Sequence, residues 1–437
     1  MCHPRYPGPI VLDPDERIPY VFIVKELTEI GKEEAGLVLW QVLRDVRSWL
    51  EAITAPDEAT LDEAGWRLDG LVPELSATLP ALDRLIRDAV PDQPAMEAVA
   101  LGCMHVGLWA EDAAAGRTAL AFFQAAEDAD PDNPHHAYSV GRVARKLALY
   151  DEAEGWLKWA HWVARGAGRW EVATLAMSGL GNLYRQRGNL PLAMRYHKLT
   201  QRIARRHDLR TLEGDALYDL MLLSFDLMNE TLAMEYARRA ISAYGPGHGR
   251  IFRMSKDIAW LWMDRSGEFE SAAQLFTSLL DHVWEPRNRL LLLASLARAA
   301  AGAGWKEVFE SMWIESWATI RHQATADGHA AALAQLALGA SSFGSWDRAQ
   351  LAAEEAFRLA KERAEGEVLF VAESILDAVR HSVIAEEKIH GVNGTRSNPA
   401  RRSSEAAADL TTNLMTAMRV RRDDAPYSPI HTLMPMD

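Results

Sequence analysis

The stretch LGNLYRQRGNLPLAMRYHKLTQRIARR, residues 180–206, predicts two short helices, A and B, joined by a tight turn. Gly181 leaves room for helix A to lie close to helix B, and Tyr184 is expected to fill the gap between them. Gly188 can end helix A with a positive φ, which other residues resist. Ala193 is small and is placed where helix B crosses helix A most closely. The stretch therefore predicts one packed helix pair.

The small residue at this crossing recurs along the chain at a nearly fixed spacing. Successive gaps are 34, 40, 40, 39, 37 and 40 residues, between Ala119, Ala153, Ala193, Ala233, Ala272, Phe309 and Ala349. Such a period is typical of stacked helix pairs. We predict an all-α fold, an α-solenoid of about seven helix pairs behind an N-terminal helical bundle. Because Phe309 replaces alanine, we expect the sixth pair to cross more openly.

This pattern resembles the tetratricopeptide repeat (TPR) family over residues 100 to about 365. The resemblance implies a superhelix whose A helices line a groove for a peptide or protein segment. It also implies that groove-facing side chains come from positions 2, 5, 9, 12 and 13 of each copy. The candidate partner-binding residues chosen on this basis are Tyr138, Arg142, Arg145, Lys146, Asn182, Arg185, Tyr218, Asp257 and Arg298.

Cations of the second and third copies form the most distinctive part of this set. Arg142, Arg145, Lys146 and Arg185 cluster in a protein of net charge −14, and a cationic wall attracts carboxylates or phosphates. Asn182 stands where many members of the family hydrogen-bond a peptide backbone, and its amide offers both a donor and an acceptor. The alternatives are that the arginines are solvated or paired with acids on neighbouring helices, and that Asn182 is an ordinary helix residue.

The regions on either side of the repeats predict further helical elements. Residues 20–54 are predicted to form one long helix, because apolar residues recur at helical spacing from Val21, Val24 and Leu27 onward. The predicted domains are an extended Pro-rich segment 1–19, a bundle 20–93 that also has helices at 57–72 and about 81–89, the repeat array 94–366, a capping helix 367–390, and a flexible tail 391–437. In this tail, residues 391–404 are a linker and 404–421 a short amphipathic helix that either docks on the solenoid or stays disordered.

Composition limits the classes of partner and the compartment. The net charge of −14 argues against bulk attraction to nucleic acid or anionic membrane. No apolar run reaches the roughly 18 residues of a membrane span, and Cys2 and Cys103 are too few for a disulfide framework, which suits a reducing cytoplasm. Among the 15 tryptophans, Trp156, Trp159 and Trp162 drift around one helix. One of these three rings is therefore expected at the surface.

The lack of familiar catalytic motifs favours a binding protein over an enzyme. The chain has no HExxH motif, no GxxxxGK[ST] phosphate loop and no GxSxG elbow. The glycines of AYGPGHGR, residues 243–250, follow a predicted helix instead of a strand and are interpreted as a connector. We expect no cofactor and no metal.

Two functions are compatible with these features. The first is a cytoplasmic scaffold that binds a peptide or protein segment in the groove, including an acidic one. The second follows from layout alone, because a small helical bundle ahead of about seven repeats resembles the Rap-type bacterial peptide receptors. That resemblance implies a peptide-responsive regulator whose N-terminal bundle engages a signalling or transcription protein. Residues 20–90 contain no convincing helix-turn-helix for direct DNA contact.

Overall fold

The computed structural model describes residues 20–54, 73–88, 93–283, 286–322, 328–389 and 403–419. These residues form helices and connectors without a strand, which confirms the all-α class. Four predictions fall outside the described residues: the extended segment 1–19, the helix at 57–72, nearly all of the 391–404 linker, and the end of the tail from 420. The predicted domain boundaries stay predictions.

The N-terminal region differs from its prediction at one point. The single helix expected over residues 20–54 is wrong, because α1 (Tyr20–Glu29) and α2 (Glu33–Thr54) are separate. Gly31 between them has φ 73°, a left-handed conformation that glycine adopts readily and that ends a helix. The next helix, α3, spans Thr78–Asp88.

Helix pairs follow from residue 93 onward, and each pair joins a helix A to a helix B. In order of copies they are α4 (Gln93–Asp112) with α5 (Gly116–Ala129), α6 (Pro134–Lys146) with α7 (Tyr150–Gly166), α8 (Trp170–Gln186) with α9 (Leu190–Arg206), α10 (Arg210–Asp226) with α11 (Glu230–Tyr244), α12 (Gly249–Leu261) with α13 (Phe269–Leu280), α14 (Pro286–Gly302) with α15 (Lys306–His322), and α16 (His329–Ser342) with α17 (Trp346–Arg363). The predicted helix-pair repeat is confirmed in this part of the chain.

Close packing inside the pairs depends on glycine in helix A. A Cβ atom at Gly107 would lie 2.5 Å from the Phe123 ring, and one at Gly181 would lie 2.5 Å from the His197 ring. Real Cβ atoms do not approach so closely, so the partner helix sits where only glycine fits. Gly188 ends α8 with φ 75°, as predicted.

The chain divides into two compact units at Leu223 and Ser224, within α10. In unit 1, which comprises the residues up to Leu223, α1 and α2 pack against α5 of the first copy. The Glu26 carboxylate accepts hydrogen bonds from the backbone N–H groups of Arg117 and Thr118 at 2.9 and 2.8 Å. An acid at a helix N-terminus satisfies otherwise unpaired donors there, so Glu26 joins the bundle directly to the first helix pair.

Unit 2 begins at Ser224 and contains the irregular sixth copy. Phe309 is only 1% exposed, and its ring centroid lies 5.1 Å from that of Phe343. The ring also packs beside Gly339, where an added Cβ would lie 3.3 Å from it. In this copy α14 packs along α16, whereas α15 has a narrow contact with α16. Phe309 is thus accommodated by a glycine in the next copy.

Two helices follow the repeats in unit 2. Helix α18 (Gly366–Ile389) packs on α17 and α16. Helix α19 (Glu405–Arg419) lies against α11, α12 and α13. Helix α19 falls within the predicted segment 404–421, and of the two alternatives considered for it, docking and disorder, the described residues are docked on α11, α12 and α13.

Candidate binding surfaces

Side chains at the predicted groove positions meet across neighbouring A helices. We call the surface that carries them in each unit the helix-A face of that unit. It is formed in unit 1 by α4, α6, α8 and α10 up to Leu223, and in unit 2, taken by itself, by α12, α14 and α16. Ser178 of α8 donates a hydrogen bond to Asp219 of α10 at 3.4 Å. Arg142 of α6 donates to both carboxylate oxygens of Glu111 of α4, one at 2.6 Å. The Arg142–Glu111 pair joins two of the predicted positions, whereas Asp219 is not one of them.

The Glu111 carboxylate neutralises part of the predicted cationic cluster. Besides the Arg142 pair, Lys146 Nζ lies 3.1 Å from Glu111 Oε1. Burial acts to raise the pKa of Glu111, but hydrogen bonds and charges from Arg142 and Lys146 outweigh it and lower the pKa. Arg142 and Lys146 are therefore held in an ion-pair network with an acid of the preceding helix.

A buried histidine of α9, the B helix of the third copy, reaches an acid of the helix-A face. His197 is fully buried, and its Nδ1 lies 3.3 Å from Asp219 Oδ2. Burial lowers the pKa of His197; the Asp219 charge opposes this shift, and Arg185 adds to it. Arg185 itself is half-buried, as is Asn182. The Asn182 amide makes no hydrogen bond with any other residue that the structure describes.

The remaining candidates occupy varied environments. Tyr138 packs against the core, and burial raises the pKa of its hydroxyl. Tyr218 is only 5% exposed, so little of its ring reaches the surface. Arg145 is half-buried. In unit 2, Asp257 Oδ1 lies 3.9 Å from Lys256 Nζ, whereas Arg298 is 2.7 Å from Asp264 and donates to Gln335 at 3.0 Å.

A second kind of surface involves the B helices and is occupied in unit 2. We call the region of α11, α12 and α13 beneath α19 the α19 groove. Arg238 of α11 lies 3.1 Å from the Asp409 carboxylate and donates to the Ala406 carbonyl at 3.3 Å. The Gly247 N–H donates to the Ala417 carbonyl at 2.8 Å. The buried face of α19 consists of Ala407, Leu410, Thr411, Leu414, Ala417 and Met418.

Unit 1 contains a cleft of about 400 Å³ among α7, α8 and α9, which we call the open cleft. Trp162 at its edge is 43% exposed and stacks on Trp159, with ring centroids 5.1 Å apart. Trp156 is buried, whereas Trp162 is exposed. This difference confirms the expectation that one of these three tryptophans reaches the surface. The cleft is lined by Lys158, His161, Trp162, Met177, Leu180, Leu192, Arg195, Tyr196 and Leu199.

Sequence reasoning missed the open cleft, although α9 carried a signal. Helix α9 (Leu190–Arg206) contains several arginines and lysines but neither Asp nor Glu. Lys158 pairs with Glu154 one turn earlier, whereas Arg195 forms no ion pair with any residue in the described ranges. An acid-free helix in an acidic chain indicates a surface with local positive charge.

In the part of the chain that the structure describes, no group of three or more His, Cys, Asp or Glu residues is placed to hold a metal ion. No helix within the described ranges combines the length and apolarity needed to cross a bilayer.

Comparisons with known proteins give matches among solved structures alone. No protein-family model and no curated protein matches the chain. Among solved structures, pilF of Pseudomonas aeruginosa aligns with a TM-score of 0.39 at 14% identity, covering 52% of this chain and 95% of its own. A Rap protein complexed with competence and sporulation factor aligns with a TM-score of 0.36 at 12% identity, covering 91% of this chain and 97% of its own.

Proposed function

We propose that this chain is a cytoplasmic, non-catalytic interaction protein that binds an extended peptide or protein segment on the helix-A face of unit 1. The observation that carries the proposal is the half-buried Asn182 amide, which has no hydrogen-bond partner among the described residues. A side-chain amide can donate to one backbone carbonyl and accept from one backbone N–H. A polar group that is partly withdrawn from water gains from such a partner.

The charges of the helix-A face of unit 1 define the kind of segment that fits. Arg142 and Lys146 already share the Glu111 carboxylate, so they offer an incoming ligand an ion-pair network instead of isolated positive charges. Asp219 adds a carboxylate on the same face. We therefore propose a ligand held mainly by its backbone and carrying side chains of both charge signs, in place of a strictly acidic segment. Paired charges on the receptor then select register more than they add affinity.

Display of random peptides against the full chain would test this proposal. A peptide enriched on the wild type should lose about tenfold or more in affinity for Asn182→Ala, the loss expected when a hydrogen bond in a half-buried site is removed. Gln350→Ala, an exposed amide on α17, is the matched control and should bind the peptide as the wild type does. Equal affinity of the wild type and Asn182→Ala for every enriched peptide would contradict the proposal.

A second candidate function is a peptide-responsive regulator, favoured by the Glu26 junction between α1 and α5. Through this junction, a change in the first helix pair would reach the bundle. Hydrogen exchange of α1 and α2, measured with and without a peptide that binds the helix-A face, tests this function. Altered protection of α1 and α2 is the expected result, and unchanged protection would contradict it.

A further inference from the structure

The open cleft and the α19 groove are built from equivalent helices. The open cleft uses helix B of the second copy and both helices of the third, α7, α8 and α9. The α19 groove uses helix B of the fourth copy and both helices of the fifth, α11, α12 and α13. In the alanine register, Lys158 follows Ala153 by the same five residues as Arg238 follows Ala233. A cation therefore stands at the same place in both.

The α19 groove shows what such an arrangement holds. Its occupant is an amphipathic helix whose apolar face is buried and whose Asp409 pairs with Arg238. Leu410 and Leu414, one turn apart on α19, are almost completely buried. This is the helix-in-groove mode of recognition, in which residues spaced at i and i+4 anchor a helix in an apolar groove.

The open cleft also combines an apolar floor with a cationic rim, but no helix of the described part of the chain occupies it. Its floor is apolar, with Met177, Leu180 and Leu192, and its rim has exposed aromatic and aliphatic side chains in Trp162 and Leu199. Tryptophan and other large apolar residues that stay exposed commonly mark sites of association. The volume of about 400 Å³ lies within the range of binding clefts, roughly 300–1,000 Å³.

Charge selects among the helices that could enter the open cleft. The cations on α9 are Arg195, Lys198, Arg202, Arg205 and Arg206, and the helix has no acid. Arg195 lines the cleft and makes no ion pair within the described residues. A partner helix with carboxylates on its flank would complement this rim, as Asp409 complements Arg238 in the α19 groove.

We propose that the open cleft is a docking site for an amphipathic α-helix of another protein, apolar on one face and acidic along its flank. The proposal goes beyond the function proposed for the helix-A face, because the open cleft is lined mainly by B-helix residues and excludes Asn182. Leucine-type anchors of the partner pack on Trp162, Leu199 and the apolar floor, and its carboxylates lie beside Arg195. A nucleic acid fits less well, because the floor is apolar and the chain carries net charge −14.

A synthetic helix based on the sequence of α19 tests the proposal with the full chain. The probe is a labelled peptide of residues 403–419 with Asn413→Glu and Arg419→Glu, so that its acids fall along one flank. The control peptide has lysine at each acidic position. Fluorescence anisotropy should show that the acidic peptide binds at least about tenfold more tightly than the basic one.

Matched protein variants locate the site of binding. Arg195→Glu should weaken binding of the acidic peptide by at least about tenfold, whereas Lys306→Glu, the same charge change at an exposed residue of α15, should leave it unchanged. Leu199→Glu should also weaken binding, and far-ultraviolet circular dichroism should show native helicity for each variant. Equal binding by wild type and Arg195→Glu, no binding at millimolar peptide, or tighter binding of a single-stranded oligonucleotide would each overturn the proposal.

Discussion

The α19 groove and the open cleft contain equivalent helices, yet only the α19 groove is covered by a helix of the described chain. In unit 2, Leu410 and Leu414 of α19 remove the apolar surface of α11, α12 and α13 from water. In unit 1, Trp162 remains 43% exposed beside the apolar floor of the cleft. One arrangement of B and A helices can therefore serve as internal packing at one place and as a recognition surface at another.

The two units also share an ion pair between neighbouring A helices, and this pair differs less between them than the two grooves do. Arg142 with Glu111 in unit 1 and Arg298 with Asp264 in unit 2 join the ninth position of one copy to the twelfth position of the copy before it. The pairing recurs because both positions lie on the helix-A face. Lys146 adds a second cation to Glu111, while Arg298 donates instead to Gln335. On this face, arginines at the ninth position are thus held by acids of the preceding copy.

The largest effect is expected from emptying part of the α19 groove. Leu414 is fully buried, so Leu414→Ala should lower the free energy of unfolding of unit 2 by about 2–5 kcal/mol through lost burial and a cavity. Denaturant unfolding monitored by hydrogen exchange of α11–α13 would measure it. Thr416→Ala, at an exposed position of α19, is the control and should change little. If the two substitutions have equal effects, α19 does not stabilise this groove.

The next effect concerns Glu127, a buried acid of α5. Burial raises the pKa of Glu127 to about 7, the Asp128 charge adds to the rise, and a hydrogen bond with Trp159 opposes it. Because the folded pKa lies above the unfolded value, the contribution of protonated Glu127 to stability is complete below about pH 4.5 and is lost as pH rises through about 7.

Glu127→Gln should therefore flatten the dependence of stability on pH. At pH 8 the variant should be more stable than the wild type by up to about 3 kcal/mol, and near pH 4.5 the difference should be small. Urea unfolding at several pH values measures this dependence. Glu171→Gln, at an exposed residue of α8, is the control. If stability depends on pH identically in the wild type and in Glu127→Gln, the conclusion that burial raises the pKa of Glu127 is contradicted.

A smaller effect of opposite sign to Leu414→Ala is expected at Thr411. Thr411 lies on the buried face of α19, and its hydroxyl finds no hydrogen-bond partner among the described residues. Thr411→Val should therefore raise the free energy of unfolding of unit 2 by about 1 kcal/mol, because it removes an unsatisfied polar group and keeps the shape. Thr412→Val, at an exposed position, controls for a general effect of valine. Destabilisation by Thr411→Val would show that the hydroxyl has a partner.

The smallest effect is expected from the ion pair at the edge of the α19 groove. Arg238 and Asp409 are both partly exposed, and exposed pairs contribute below about 1 kcal/mol. Arg238→Gln and Asp409→Asn should each lower the free energy of unfolding slightly. The double variant should lower it by less than the sum of the two single effects, because both substitutions remove the same ion pair. A double-mutant cycle at low and high salt measures the coupling. A coupling that does not weaken with salt would contradict a solvent-screened pair.

The repeat pattern predicted most of the fold, because glycine or alanine recurs where the helices of a pair cross most closely, with Phe309 as the exception. Gly181 against His197 and the buried Ala193 show this directly. The break at Gly31 was missed because the apolar period continues through it. At the candidate site, the register predicted that Arg142 faces the groove, but its pairing with Glu111 depends on how neighbouring copies stack. The open cleft combines three helices, so no single stretch of sequence reveals it.

The most direct test of the contrast between the two grooves is hydrogen exchange of the full chain with the acidic α19-derived peptide. We predict new protection in α7, α8 and α9, with α11–α13 and α19 unchanged, because α19 keeps its own groove and the peptide enters the open cleft. Loss of protection in α19 with no new protection in α7–α9 would contradict this contrast, since the peptide would then be replacing α19 in unit 2 and leaving the open cleft empty.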